Sequence, residues 1–320
     1  MRQTQEFRLP FSLRKSFKKA VKLEWITLGY LVSVIILMNL VMGSSQAMKT
    51  AWLEDALSTL PAMAFLIASR YFEKPGNKRF PYGFHRVYSI AFLAGSLALF
   101  SMGCFLAIDS SLALINVERP TIGSVFIFGQ QLWMGWIMIL VLVYSAIPAM
   151  WLGNKKMPLA KKIHNKILFT DADTQKADYQ TAFAAMIGII GVGLGFWWMD
   201  ALAALFISIS VIKDGLNNLK NAVSDLMDRT PMDVTSSHPD ELVDEIIRIM
   251  DDLPWVEEVK VRFREQGMVF FGEVYVVTKT VQHLEALIKE AQDNLQEFHW
   301  KIHDVCIMVV KDFDQMREEE

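Results

Sequence analysis

Six apolar segments separated by short polar stretches constrain this chain more than any other feature: Trp25–Met42, Ala51–Ala68, Tyr88–Ile108, Leu132–Leu152, Tyr179–Trp198 and Ala201–Ile212. A helix needs about 20 apolar residues to cross a bilayer, with a range of about 17 to 25. Backbone inside lipid must satisfy its own hydrogen bonds, which leaves helices as the way to span. Five segments reach that length or nearly so. The sixth stops at Lys213-Asp214 and spans only if the helix continues through Gly215-Leu216, with Lys213 reaching back to the headgroups.

The charge is uneven. The chain is 52% hydrophobic and 21% charged, with mean hydropathy +0.27. That is too apolar for an ordinary soluble protein and too charged for one wholly in lipid. Residues 231–320 are rich in Asp, Glu and Lys and large enough for a core of their own. The expected organisation is a basic cytoplasmic arm over 1–23, a six-helix all-α membrane bundle over 24–230 and a small α+β domain over 231–320. In that last part Pro239–Leu253 has helical spacing, Val256–Glu265 and Met268–Val277 alternate as strands around a Gln266-Gly267 turn, Val281–Phe298 is an amphipathic helix and Ile302–Val310 a third strand. The order αββαβ fits a ferredoxin-like layer of helices on a sheet.

Lysine and arginine set the expected orientation. They crowd the arm (Arg2, Arg8, Arg14, Lys15, Lys18, Lys19, Lys22), the second-to-third connection (Arg70, Lys74, Lys78, Arg79, Arg86) and the fourth-to-fifth (Lys155, Lys156, Lys161, Lys162, Lys166, Lys176). The other loops carry only Lys49 and Arg119. Both termini are therefore expected in the cytoplasm, with the apolar side chains of the arm (Phe7, Leu9, Phe11, Leu13, Phe17) anchoring it at the interface. The first twenty residues lack an apolar h-region, so no secretory signal is expected. A net charge of −3 gives no reason to expect nucleic acid, and Cys104 and Cys306 have no nearby partner for a disulfide or a zinc knuckle. No nucleophile–base arrangement suggests an enzyme.

Acids inside apolar segments are expensive and usually mark an ion path. Two stretches carry them, Ala51-Trp-Leu-Glu-Asp-Ala-Leu-Ser-Thr-Leu-Pro61 and Lys176-Ala-Asp-Tyr-Gln-Thr-Ala-Phe-Ala-Ala185. If their helices begin near Ser45 and Lys166, Asp55 and Asp178 lie about 15 and 18 Å in from opposite sides, at about 1.5 Å per residue, and meet near mid-bilayer. Positions i, i+3 and i+4 share a face, so Asp55, Ser58 and Thr59 point together, as do Asp178 and Thr181. The candidate metal ligands are Asp55, Thr59, Asp178 and Thr181, with Glu54, Ser58 and Asp173 behind them. This all-oxygen set suits Mn, Mg or Fe(II) better than a zinc site of nitrogen or sulfur. The competing reading makes Glu54 and Asp55 a cap at the outer interface, and Asp171, Asp173 and Asp178 an acidic first turn favoured by the helix dipole. Asp200 is expected to cap a helix at the outer interface. His299 and His303, with Asp304 and Cys306, allow a regulatory metal site, although exposed polar positions on a small sheet account for them as well.

Several stretches resemble one family, the cation diffusion facilitators. They are Gly43-Ser-Ser-Gln-Ala-Met-Lys49, Asp55-Ala-Leu-Ser58, Arg79-Phe-Pro-Tyr-Gly-Phe-His-Arg86, Trp198-Met-Asp-Ala-Leu-Ala-Ala204 and Leu226-Met-Asp-Arg-Thr-Pro231. The resemblance implies a six-span inner-membrane exporter of divalent cations, working by alternating access that could be coupled to protons, and a homodimer joined through its cytoplasmic domain. Mn, Fe, Mg, Zn or Co would be cargo, with no resident cofactor. Typical members pair acids four residues apart on the second helix, and an acid or His with an acid on the fifth. Here Thr59 and Ala182 stand at the second positions, and of the loop histidines only His85 is present. The altered positions keep open a non-transporting regulatory or assembly protein on the same fold.

Overall fold

The computed structural model describes residues 9–127, 130–279 and 282–313. Arg2, Phe7 and Arg8 of the basic arm and Val281 lie outside them, as does the side chain of Lys176.

The described part of the arm is helical. From Pro10 onward it is the first turns of α1 (Phe11–Val41), 31 residues in one helix. No proline interrupts the run, and its apolar positions recur at helical spacing. Leu9, Leu13 and Ala20 are buried with Phe65, Phe72, Ile167 and Met268, while Arg14, Lys15, Lys18, Lys19 and Lys22 stay exposed.

The second apolar segment is broken. It forms α2 (Gln46–Leu57) and α3 (Thr59–Tyr71), with Ser58 between. Pro61 explains this: it has no N–H for the carbonyl of Leu57, and its ring crowds that carbonyl. The remaining long helices are α4 (Val87–Ile115), α5 (Met134–Lys162), α6 (Lys166–Gly193) and α7 (Trp198–Leu226). Between α4 and α5 a short antiparallel hairpin, β1 (Ser124–Ile127) with β2 (Gln130–Trp133), occupies what the sequence reads as loop.

Among the described residues, four segments are long and apolar enough to cross a membrane: α1, α2 with α3, α4 and α5. The more polar α6 and α7, 28 and 29 residues long, pack on each other, α6 also on α5 and α7 also on α4. α4 and α7 approach closely because glycine permits it: a Cβ on Gly215 would lie 2.6 Å from the Phe100 nitrogen.

Beyond α7 come α8 (Glu241–Asp251), β3 (Val256–Gln266), β4 (Val269–Thr278), α9 (Leu284–Phe298) and β5 (Ile302–Val309), in the order expected. β4 is central, antiparallel to β3 and parallel to β5. Leu242, Ile246, Phe263, Val274, Leu295 and Val305 form the core of this part.

Candidate metal centre

The acids are placed by two capped helices. At the start of α2 the Ser45 hydroxyl accepts from the Met48 N–H. Asp200, fully buried on α7, accepts from Ser45 Oγ (2.7 Å), the Gln46 N–H (2.5 Å) and the Ala47 N–H (3.3 Å). Asp200 is thus a cap, but of α2 rather than of its own helix, and its charge suits that positive end. α6 starts at Asn165, whose side chain accepts from the Leu168 N–H.

Neither Asp55 nor Asp178 falls in a first turn, so the capping account of these two acids fails. Asp55 is 6% exposed and Asp178 5%, on helices that pack together. Asp55 accepts a 2.9 Å hydrogen bond from Ser145 Oγ on α5. The Tyr30 hydroxyl of α1 donates to the carbonyls of Tyr144 and Ser145, fixing the turn that presents Ser145. Asp178 Oδ2 is buried and receives no hydrogen bond. Among the charges acting on Asp178, Asp55 comes first and Glu54 second. Glu54 is half-buried on α2, next to Asp55 in sequence.

The hydroxyls are partly committed. Ser58 donates to the Glu54 carbonyl (3.0 Å), Thr59 to that of Ala56 (2.6 Å) and Thr181 to that of Asp178 (2.9 Å). Their protons point back into the helix, which leaves lone pairs as the free side of each oxygen. Asp173 is on a different, exposed face of α6, beside Asp214 on a polar cavity. Among the described residues no three His, Cys, Asp or Glu side chains gather round one point as a ready ligand set.

Two parts of the site are not in the sequence reading. Ser145 sits in an apolar run with nothing to single it out except its helical position opposite the acids. Lys156, counted there as a loop residue, is fully buried on α5, because that helix runs on to Lys162. It pairs with Glu24 (3.0 Å) and Asp171, which are also buried.

The connection before α4 meets the strand region. The rings of His85 and His303 are 4.8 Å apart, and Phe271 packs on both at 5.7 and 5.2 Å. His303 is therefore buried, not an exposed sheet position. Burial, then the neighbouring His303, pushes His85 down to about 3, so the ring is neutral. Gly267, at φ +73°, forms the hairpin tip against this loop; a Cβ there would lie 2.5 Å from the His85 carbonyl oxygen. Lys166 Nζ is 2.8 Å from Glu265, and His164 lies 3.7 Å from both Glu265 and Asp240. Burial alone would raise Glu265, but His164 and the Lys166 charge outweigh it and hold the carboxyl below its usual range.

A multi-pass helical bundle with acids buried between its packed helices is a membrane protein built around charge. The chain belongs to the cation efflux family: residues 25–227 match the profile described as the cation efflux transmembrane domain. That family consists of transporters, not enzymes. The manganese efflux system protein MneS of Bacillus subtilis is 23% identical over 184 residues, covering 58% of this chain and 59% of that protein. A probable cation efflux system protein of Mycobacterium tuberculosis is 27% identical over 197 residues, covering 61% and 54%. An uncharacterized metal transporter of Schizosaccharomyces pombe is 28% identical over 188 residues, covering 56% and 47%. The chain thus spans roughly half to three fifths of the length of these relatives.

Proposed function

We propose that the protein exports a divalent metal cation from the cytoplasm by alternating access, holding it between Asp55 and Asp178. The observation that carries this reading is the burial of both carboxylates on packed helices, with Asp178 Oδ2 lacking any donor. A buried oxyanion with a free lone pair is costly unless a cation completes it. The donors are all oxygen, with Ser58, Thr59, Thr181 and Ser145 around the acids, which favours hard ions such as Mn, Mg or Fe(II). The name of the Bacillus relative supports manganese as the first ion to test. A cavity of about 580 Å³ reaches α6 from the side of Asp214, Asn217 and Asn218; it is lined by Asp173 and by Thr174, one turn before Asp178. It supports a hydrophilic approach for the ion from the cytoplasm.

The wider reading has six spans, both termini in the cytoplasm of an inner-membrane protein, a soluble unit over 231–320 and a homodimer joined through it. Packing of α6 and α7 against three of the four apolar spans, α2 with α3, α4 and α5, supports the count. Proteoliposomes loaded with a fluorescent indicator test the function. Mn²⁺ should enter faster than into empty liposomes, and an imposed pH gradient should change the rate if protons are exchanged. Absence of flux for Mn, Mg, Fe, Co and Zn in folded protein would favour the non-transporting regulatory or assembly role instead.

A further inference from the structure

A second group of buried oxygens lies nearer the cytoplasm, and the transport site does not use it. Lys156 Nζ sits between Glu24 Oε2 of α1, at 3.0 Å, and Asp171 Oδ2 of α6. Gln175, one turn further along α6, donates to both Asp171 oxygens, at 3.1 and 3.3 Å. Glu24, Thr27 and Gln175 are at most 1% exposed. Glu24 Oε1, Thr27 Oγ1 and Gln175 Oε1 are nevertheless buried without any hydrogen-bond partner.

The arrangement has one recurrent direction. Glu24 and Thr27 share a face of α1, and Asp171, Gln175 and Asp178 share a face of α6. Asp171 is seven residues before Asp178, which puts the group about 10 Å towards the cytoplasm from the acid pair. Ser145, which holds Asp55, and Lys156 are eleven residues apart on α5, about 16 Å in the same sense. The group has two carboxylates for one ammonium, so it carries more negative groups than positive. A pair serving only to tie helices together needs one acid, and a second buried charge adds desolvation cost. Unpartnered oxygens together with an excess of acid point to a cation as the missing partner.

We propose that Glu24, Asp171, Gln175 and Thr27 form a second divalent-cation site, closed in this state by the Lys156 ammonium as a tethered occupant. Four oxygen donors suit a hard ion. Loading requires the lysine side chain to withdraw, which makes Lys156 a gate on the α1–α5–α6 flank, distinct from the cavity beside Asp173. The choice of ion rests on the transport reading; the site itself does not rest on the Asp55–Asp178 pair.

The test is Mn²⁺ binding to purified full-length protein, followed by electron paramagnetic resonance. The native chain should show a tight class of sites and a weak one. Lys156→Met should tighten the weak class about tenfold or more, because a positive charge a few ångströms away is removed. Glu24→Gln with Asp171→Asn should abolish the weak class and leave the tight one. Asp171→Asn alone, which keeps Glu24 as partner for the lysine, should also lose it, so the test survives if Lys156→Met does not fold. An isotherm unchanged in folded Lys156→Met, or a weak class that persists in Asp171→Asn, would overturn the proposal and leave the group as a structural ion pair. Asp55→Asn should remove the tight class alone; if it does not, the transport-site assignment fails while the second site remains readable.

Discussion

Ser145 is the residue whose removal best separates holding the acid from being the acid. Its hydroxyl donates to Asp55 and nothing else in the site depends on it. Ser145→Ala leaves one carboxylate oxygen without its donor, and a hydrogen bond to a charged group is worth about 1.5–3 kcal/mol. Mn²⁺ affinity should change by about tenfold or more in consequence, while the thermal melt stays near that of the native chain. Asp200 gives the opposite result. Asp200→Asn weakens three hydrogen bonds to the start of α2, so the melting temperature should fall by several degrees, with flux per folded molecule largely kept. Asp55 and Asp178 are legible in sequence because acids in apolar runs are rare. Ser145 is not, since a lone serine in a spanning helix has many bland explanations. Lys156 misleads, because a lysine four residues past an apolar run reads as part of a cytoplasmic loop, and only the packing of α1 and α6 shows it to be enclosed.

At the scale of elements, the β3–β4 hairpin is fixed to the loop before α4 through Gly267. Its positive φ suits glycine, and the space beside it is filled by the His85 backbone. Gly267→Val meets both obstacles and should release the hairpin tip. Limited proteolysis around residues 265–268 should become faster, with the far-ultraviolet dichroism of the rest preserved; unchanged cleavage would show that the contact tolerates a side chain. Helix existence is legible throughout, whereas helix ends are not. α5 and α7 run on past their apolar windows to Lys162 and Leu226, through Gly153 and Pro158 in α5 and Gly215 in α7, so the residues that usually stop a helix do not mark these ends. The break at Ser58 follows from Pro61, three residues further on, a signal present in the sequence and available to the same rule.

The whole molecule joins its helical and sheet parts through neutral, buried imidazole. His85 is held at about 3, against 6.5 when free. Between those values a released His85 takes up a proton and a docked one does not, so docking is complete above pH 6.5 and weakens as the pH falls towards 3. His303 faces it, also held low by burial, and adds in the same direction. Glu265 and Asp240, both held below their usual range, add a loss only below about pH 4.5. Hydrogen exchange across residues 263–271 should therefore rise as the pH falls from 6.5 to 5, after correction for the intrinsic rate. In His85→Phe that rise should shrink. The two architectures were each readable from periodicity, but their contact was not, because it depends on residues from one loop, one hairpin and β5 that no local pattern links.

The most direct test of the transport account compares three acids in one assay of Mn²⁺ flux into proteoliposomes. Asp55→Asn and Asp178→Asn each remove a charge while nearly keeping shape, and Asp173→Asn does so on the exposed face of α6. The account predicts that either of the first two abolishes most flux, that combining them adds little because both disable one unit, and that Asp173→Asn retains it. Retained flux in Asp55→Asn and Asp178→Asn, with loss in Asp173→Asn, would contradict it.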